Sequence, residues 1–235
     1  ITPVRMEVGQ SLSSFYGYKV IGYFNSAAEV SSSPAQDGKG LGRFRYADIN
    51  GDGKITTDDR TFLGSPVPTY TGGINVGLTY KDFEFATYLY ASVGNQIWNQ
   101  SKWFTDFFGT FEGSGKGERA KQSWTPALGN SAAAPIWESN SNMSTSGAAN
   151  SWYVENGDYL RLQNVSLGYN IPKAYTSKLG IKRAKFTLSA NNLLTLTKYQ
   201  GLDPGVGGAA DTGFGIDVGN YPVTRSFNAS INLTF

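Results

Sequence analysis

The sequence predicts an all-β fold, one part of a transmembrane antiparallel β-barrel with long extracellular loops. Several segments alternate apolar and polar residues, as strands do when their two faces meet different surroundings. The connections between these segments alternate between short and long. No apolar run approaches the roughly 18 residues that a membrane helix needs, whereas a tilted barrel strand needs only about 9–11.

The clearest strand is Thr224–Phe235, where every second residue from Phe227 onward is apolar and the residues between them are small and uncharged. An uncharged polar face is expected of a packed or wet barrel lumen. The same alternation predicts further strands at Gly73–Tyr80, Phe83–Val93, Tyr159–Pro172 and Arg183–Asn192, and we expect one more at Gly17–Phe24. About six strands do not close a barrel that holds a plug, which needs about 22, so we expect a C-terminal fragment of a larger barrel.

Two local features are predicted within these strands. Only Lys81 and Asp82 separate two alternating runs, which predicts a hairpin. The apolar phase changes near Gln163 and Asn164, and a bulge there would reconcile the two halves of that strand.

Glu84, Arg161 and Lys185 carry charge within predicted strands. An Arg or Lys exposed to lipid at the bilayer midplane costs about 2–4 kcal/mol. We therefore expect these side chains to face the lumen.

The connections support an outer-membrane barrel. Tyr80 to Phe83 and Pro172 to Lys182 are short, whereas Phe24 to Thr71, Gly94 to Asp158 and Leu194 to Val223 are long. Outer-membrane barrels have short periplasmic turns and long outside loops. This consistent asymmetry predicts an outer-membrane location in contact with lipid.

The first long connection contains a candidate calcium loop, Asp48–Asp59, which reads "DINGDGKITTDD". Calcium takes oxygen ligands from alternate positions of such a loop, with a Gly at the sixth position for the bend. Lys54 offers only its carbonyl oxygen, and Thr56 would act through water. The alternative is a metal-free turn, because Asn-Gly and Asp-Gly both form turns. The predicted Ca²⁺ ligands are Asp48, Asn50, Asp52, Lys54, Thr56 and Asp59.

Composition excludes several functions. The chain has no Cys and no His, which removes Ser-His-Asp chemistry and zinc sites built from those residues. The net charge of +2 and the absence of Lys/Arg runs argue against nucleic acid as a partner. We identify no catalytic residues and expect no enzymatic activity.

Several segments resemble the C-terminal region of SusC/RagA-family TonB-dependent outer-membrane transporters. They read "YADINGDGKITTDDRTFLGSPVPTYTGGINVGLTYKDFEF", "NGDYLRLQNVSLGYNIP", "LSANNLLTLTKYQGLDP" and "SFNASINLTF". The resemblance implies that residues 1–235 are the C-terminal part of a 22-stranded barrel, without its plug and N-terminal accessory domain. It also implies import of glycans or oligopeptides across the outer membrane of Bacteroidetes. The implied partners are a SusD-like lipoprotein lid and TonB, which acts through the absent plug.

Within such a transporter, four aromatic residues are candidates for substrate binding: Tyr88, Tyr90, Trp98 and Trp103. The tryptophans lie in the long connection after a strand and could stack on sugar rings, or else pack within the loop or in an interfacial girdle. The tyrosines share the polar face of a strand and either line the substrate path or pack against the plug.

Two other functions remain open on the sequence. The calcium loop suggests a secreted dockerin-like binding module, but a dockerin carries two such repeats and we find one. The aromatic residues and loop carboxylates suggest a carbohydrate-active β-sandwich enzyme. Detergent-dependent solubility would favour the transporter over both, and turnover of a glycan would favour the enzyme.

Overall fold

The computed structural model describes residues 3–111, 113–208 and 213–235. The strands are β1 (Phe15–Tyr18), β2 (Val20–Tyr23), β3 (Phe44–Tyr46), β4 (Arg60–Gly64), β5 (Tyr70–Tyr80), β6 (Phe83–Val93), β7 (Gln96–Asn99), β8 (Val154–Asn156), β9 (Tyr159–Ile171), β10 (Arg183–Thr197), β11 (Ile216–Asp217) and β12 (Ser226–Thr234). The α-helices are α1 (Ala27–Ser32), α2 (Ser101–Thr105) and α3 (Lys173–Thr176). Short 3-10 helices span Thr57–Asp59, Glu118–Gln122, Gly129–Ser131, Ser151–Tyr153 and Ser177–Leu179.

The chain folds into two compact units. The loop unit comprises Ile1–Val67, Asn95–Asn156 and Gly205–Asn220. The sheet unit comprises Pro68–Gly94, Gly157–Pro204 and Tyr221–Phe235. No helix in the described ranges is long and apolar enough to cross a membrane.

The sheet unit contains a five-stranded antiparallel sheet in the order β12-β10-β9-β6-β5. Tyr80 pairs with Phe83 across the two-residue turn, in which Lys81 has a φ of 52°. The predicted hairpin is therefore confirmed. We call this end of the sheet, together with the turn between β9 and β10, the turn end.

The predicted bulge is also confirmed. Tyr88 pairs with Asn164 and Leu89 with Leu162, so Gln163 is an extra residue opposite β6. The β10 ladder is irregular at the same level, between Asn191 and Leu194. A single extra residue moves the following side chains to the other face, which keeps both halves of β9 in phase with β6.

The two faces of the sheet differ in chemistry. One face, the apolar face, carries rows that cross all the strands, such as Leu78, Phe85, Leu167, Leu188 and Ala229. Large side chains on it are uncovered; on β12, for example, Phe227 is 71% and Ile231 65% exposed. Exposing this apolar surface to water is less favourable than placing it in hydrocarbon by about 25 cal/mol per Å². Hydrocarbon is therefore the environment that suits this face.

The loop unit has an aromatic core. Phe15, Phe44, Tyr46, Trp98 and Tyr153 are almost completely buried, and their rings stack or meet at a tilt. Short strands surround this core in the pairings β1-β4 and β2-β3 and in the three-stranded order β11-β7-β8.

The segment Gly17–Phe24 belongs to this core and not to the five-stranded sheet. It forms parts of β1 and β2, which pair with β4 and β3, and Gly22 adopts a φ of 142° within it. Tyr18, Tyr23 and Phe24 are buried. The prediction that this segment is a barrel strand is wrong, because a short run of aromatic and aliphatic residues can be buried in a small core as well as at a lipid boundary.

Candidate functional site

The other face of the sheet, the polar face, brings Tyr88 and Tyr90 to the same surface, as predicted. Tyr90 pairs with Gly73, and the ring of Tyr88 lies over that glycine, where a Cβ atom would be 2.5 Å from the ring. Tyr90 also contacts Tyr159, with ring centroids 5.9 Å apart. The absence of a side chain at position 73 allows Tyr88 to lie along the sheet and present a broad aromatic surface.

An amide ladder continues this surface across the strands. Asn164 Nδ2 donates to Asn191 Oδ1 at 2.8 Å, and Asn191 Nδ2 donates to Ser226 Oγ at 3.0 Å. These groups are polar and uncharged, and Tyr88 pairs with Asn164 in the ladder of strands. The arrangement is suited to hydrogen bonding with a neutral polar molecule or chain.

Arg161 lies on the same face, as its charge predicts. Its guanidinium forms an ion pair with Asp203 at 2.5 Å and donates from Nε to Thr195 Oγ1 at 3.0 Å. Asp203 also accepts a hydrogen bond from the backbone N–H of Val223 at 3.0 Å. Arg161 is only 5% exposed, so this pair fastens the segments after β10 and before β12 to the sheet.

Glu84 and Lys185 form a second ion pair on the polar face, near the turn end. Asn170 Nδ2 donates to Glu84 Oε1 at 2.6 Å. Lys185 reaches Glu84 past Gly168 of the intervening strand, where a Cβ atom would be 2.6 Å from Lys185 Cε. Only a glycine at that position leaves room for the lysine side chain in this conformation.

The predicted calcium loop is held together by its own acidic side chains. Asp48 accepts hydrogen bonds from the backbone N–H groups of Gly51 and Gly53 at 2.7 and 2.8 Å. Asn50 and Asp52 each accept from the backbone N–H two residues later, at 3.0 and 2.8 Å. Gly51 and Gly53 have φ values of 75° and 79°, which glycine adopts most readily.

Asp59 closes the loop from inside. Its side chain is completely buried and accepts from the backbone N–H groups of Ile49 and Thr56, both at 2.8 Å. It also forms a capping box with Thr56 at the start of the Thr57–Asp59 3-10 helix. Burial raises the pKa of Asp59, but hydrogen bonds from Thr56, Ile49 and Asn50 outweigh it, and the pKa lies below its ordinary value.

The loop meets part of the requirement for calcium. Each oxygen that accepts one backbone hydrogen bond keeps a further lone pair, and the spacing of the oxygen donors is unchanged. However, within the described ranges no group of three or more Asp, Glu, His or Cys side chains is gathered as metal ligands would be. Calcium binding therefore stays a prediction.

Trp98 and Trp103 occupy different environments. Trp98 is completely buried between Phe15 and Tyr153, with ring centroids at 5.9 and 5.0 Å, and its Nε1 donates to Gln100 Oε1 at 2.9 Å. A ring without an exposed face cannot stack on a sugar, so the predicted substrate role of Trp98 is wrong for this conformation.

Trp103 is only partly buried. Its Nε1 donates to Ser146 O at 3.2 Å, and its ring meets Phe104 and Phe111 edge to face. Phe111 is 59% exposed. This group keeps an accessible aromatic surface in the loop unit.

Sequence reasoning missed a buried ion pair in the loop unit. Lys102 and Glu155 are 2.8 Å apart and almost fully buried, and Lys102 Nζ also donates to Trp152 O at 2.7 Å. Burial lowers the pKa of Lys102, although Glu155 opposes that shift. No local motif joins these residues, which lie on separate elements.

Comparison with known proteins gives consistent matches along the chain. The chain is 34% identical over 236 residues to TonB-dependent receptor P26 of Formosa agariphila, covering 98% of the chain and 23% of that relative. It is 26% identical over 235 residues to TonB-dependent receptor SusC of Bacteroides thetaiotaomicron, covering 97% and 20%. The chain is homologous to TonB-dependent receptors. No family model matches it.

The homology to TonB-dependent receptors agrees with the fold. The structure of the RagAB peptide transporter superposes with a TM-score of 0.75 and 24% identity, covering 100% of this chain and 24% of that one. The predicted barrel fold and the resemblance to the SusC/RagA family are confirmed. The chain spans about a quarter of the length of such receptors, as expected of a fragment.

Proposed function

We propose that the protein containing this chain is a TonB-dependent importer of glycans or oligopeptides in the bacterial outer membrane. The observation that carries the proposal is the two-faced sheet, because one face suits lipid and the other suits a polar lumen. The homologous receptors and the transporter fold support it. In this role the chain supplies barrel wall and outside loops and has no catalytic function.

The proposal includes partners outside this chain. The outer strands β5 and β12 each have one edge without a partner strand in the described sheet, and further barrel strands of the same protein would pair with them. A SusD-like lipoprotein would cover the outside loops, and TonB would act through the plug. The homologous SusC and the RagAB structure support this assembly.

Growth and uptake measurements test the import function. A strain that lacks the gene is expected to lose uptake of one class, glycans or peptides, from a panel of labelled substrates. Complementation with the full-length gene should restore uptake, and a version without its TonB-binding segment should not. Uptake that survives the deletion, or that is restored without that segment, would contradict the proposal.

For substrate contact, we propose that Tyr88 and Tyr90 line the path along the sheet unit, and that Trp103 contacts substrate within the loop unit. Aromatic faces stack on sugar rings and on peptide groups alike. Tyr90→Ala in the full-length transporter should raise the substrate concentration for half-maximal uptake, while the matched change Tyr80→Ala on the apolar face should not. Equal effects of the two changes at equal surface amounts would count against a substrate role.

For the loop, we propose a structural Ca²⁺ bound by Asp48, Asn50, Asp52, the Lys54 carbonyl, Thr56 through water, and Asp59. The spacing and the two left-handed glycines support it. Asp52→Ala should weaken Tb³⁺ luminescence and remove calcium-dependent protease resistance of residues 48–59. Asp58→Ala changes an exposed carboxylate outside the ligand set and is the control. If calcium changes neither property in the unaltered protein, the loop is a metal-free turn.

A further inference from the structure

A basic hollow lies at the turn end of the polar face. Four cationic residues line it, Lys173, Lys182, Arg183 and Lys185, together with Asp82, Glu84 and Asn170. Glu84 is already neutralised by its ion pair with Lys185. The hollow therefore has a surplus of positive charge.

Two of its cations form no hydrogen bond or ion pair within the part of the chain that the structure describes, although Arg183 interacts with Glu84 through its longer-range charge. Lys173 and Arg183 are exposed, and neither side chain forms a hydrogen bond or ion pair with a described residue. By contrast, Lys182 Nζ donates to Phe235 O at 3.1 Å. A Lys and an Arg beside one hollow are the donors that a carboxylate or sulfate recognises through charge-assisted hydrogen bonds.

The rest of the polar face does not offset this charge. Asp203 is paired with Arg161, and Asp158 accepts a hydrogen bond from the Gly94 backbone at 2.6 Å. Both groups lie at the end of the sheet opposite the hollow, where four cations face only two acidic residues, Asp82 and Glu84. A polar face of this kind attracts anions and raises their local concentration.

We infer that the basic hollow binds anionic groups of the transported cargo, and that Lys173 and Arg183 are its ligands. The cargo would then carry carboxylates or sulfates, either on an acidic glycan or on an acidic peptide. This inference rests on the proposed import function but can fail without it, because a neutral cargo would leave import intact.

The test compares acidic and neutral probes on the full-length transporter in detergent. The probes are labelled oligogalacturonate and oligoglutamate, with a maltodextrin and a Gly-Ser peptide as neutral counterparts. In Lys173→Gln/Arg183→Gln, binding of the acidic probe should weaken about tenfold, and salt should weaken it in the unaltered protein. Lys178→Gln/Lys198→Gln removes two exposed cations outside the hollow and should leave binding unchanged.

The pattern of results separates the outcomes. A tenfold loss confined to the glycan or to the peptide identifies which polymer supplies the anion. Equal affinities of both double variants for the acidic probes would overturn the inference. The inference would also be overturned if the Lys173→Gln/Arg183→Gln protein without ligand lost thermal stability while its binding of the acidic probes stayed unchanged. That result would mean that the two cations pair with acidic groups of the transporter itself.

Discussion

Replacing Trp98 by alanine tests whether this residue is a core residue or a ligand-binding residue. The completely buried indole removes about 200 Å² from water, which at roughly 25 cal/mol per Å² corresponds to about 5 kcal/mol. Measured Trp→Ala changes in cores cost about 3–5 kcal/mol. We expect the free energy of opening of the loop unit to fall by that amount in Trp98→Ala.

Hydrogen exchange in the full-length transporter measures this change. A loss of 3–5 kcal/mol corresponds to exchange about 150- to 4,000-fold faster for globally protected amides. The amides to follow are those of β7 and β8, which pair beside Trp98. Phe111→Ala removes an exposed ring from the same unit and should change stability by less than about 0.5 kcal/mol.

The core assignment predicts lost protection, and any loss of substrate binding should follow from that unfolding. Unchanged protection in Trp98→Ala, together with weaker substrate binding, would refute the reasoning. Trp98 would then have to turn outward in the working transporter, and the sequence interpretation would be restored.

Three further predictions concern single positions. Leu188→Arg on the apolar face should destabilise the barrel by about 2–4 kcal/mol and reduce the amount of folded protein in the outer membrane. Ser189→Arg on the polar face should be tolerated. An equal loss of folded protein in the two variants would contradict the assignment of faces. Gly168→Ala should lower the urea midpoint of the barrel relative to Gly77→Ala, because the added Cβ atom displaces Lys185 from Glu84, whereas a Cβ atom at Gly77 meets nothing within 4 Å. Matching midpoints would show that the lysine moves freely. The pKa of Asp59 lies below its unfolded value of 3.8, so its stabilising contribution is present above that pH and is lost as the pH falls through the folded-state pKa. Asp59→Asn should therefore speed pepsin cleavage of residues 48–59 more at about pH 4 than at about pH 2, and a difference independent of pH would count against the buried carboxylate.

The sheet could be predicted from the sequence because apolar and polar residues alternate along each of its strands. The apolar face is uncovered in the described structure, so no core packing disturbs the alternation, and even the bulge at Gln163 is visible as a change of phase. The charges of Arg161 and Lys185 fix the face of their strands, since lipid would not tolerate them.

The loop unit could not be predicted in the same way. Its core joins Phe15, Trp98 and Tyr153, which lie far apart in the chain and carry no periodic pattern. Aromatic residues in a loop serve packing and ligand binding equally well, so Trp98 and Trp103 have the same sequence signature and different environments. The Lys102–Glu155 pair and the basic hollow likewise depend on which elements the fold brings together.

The two open edges of the sheet affect how this segment can be handled. Along β5 and β12, rows of backbone N–H and C=O groups remain available to any extended chain that approaches them. Expressed without the other barrel strands, the segment would aggregate with copies of itself through these edges. The exposed apolar face would add to this aggregation in any buffer without detergent. On the proposed function, its folding and its recognition of cargo need the full-length protein, in which further strands pair with these edges.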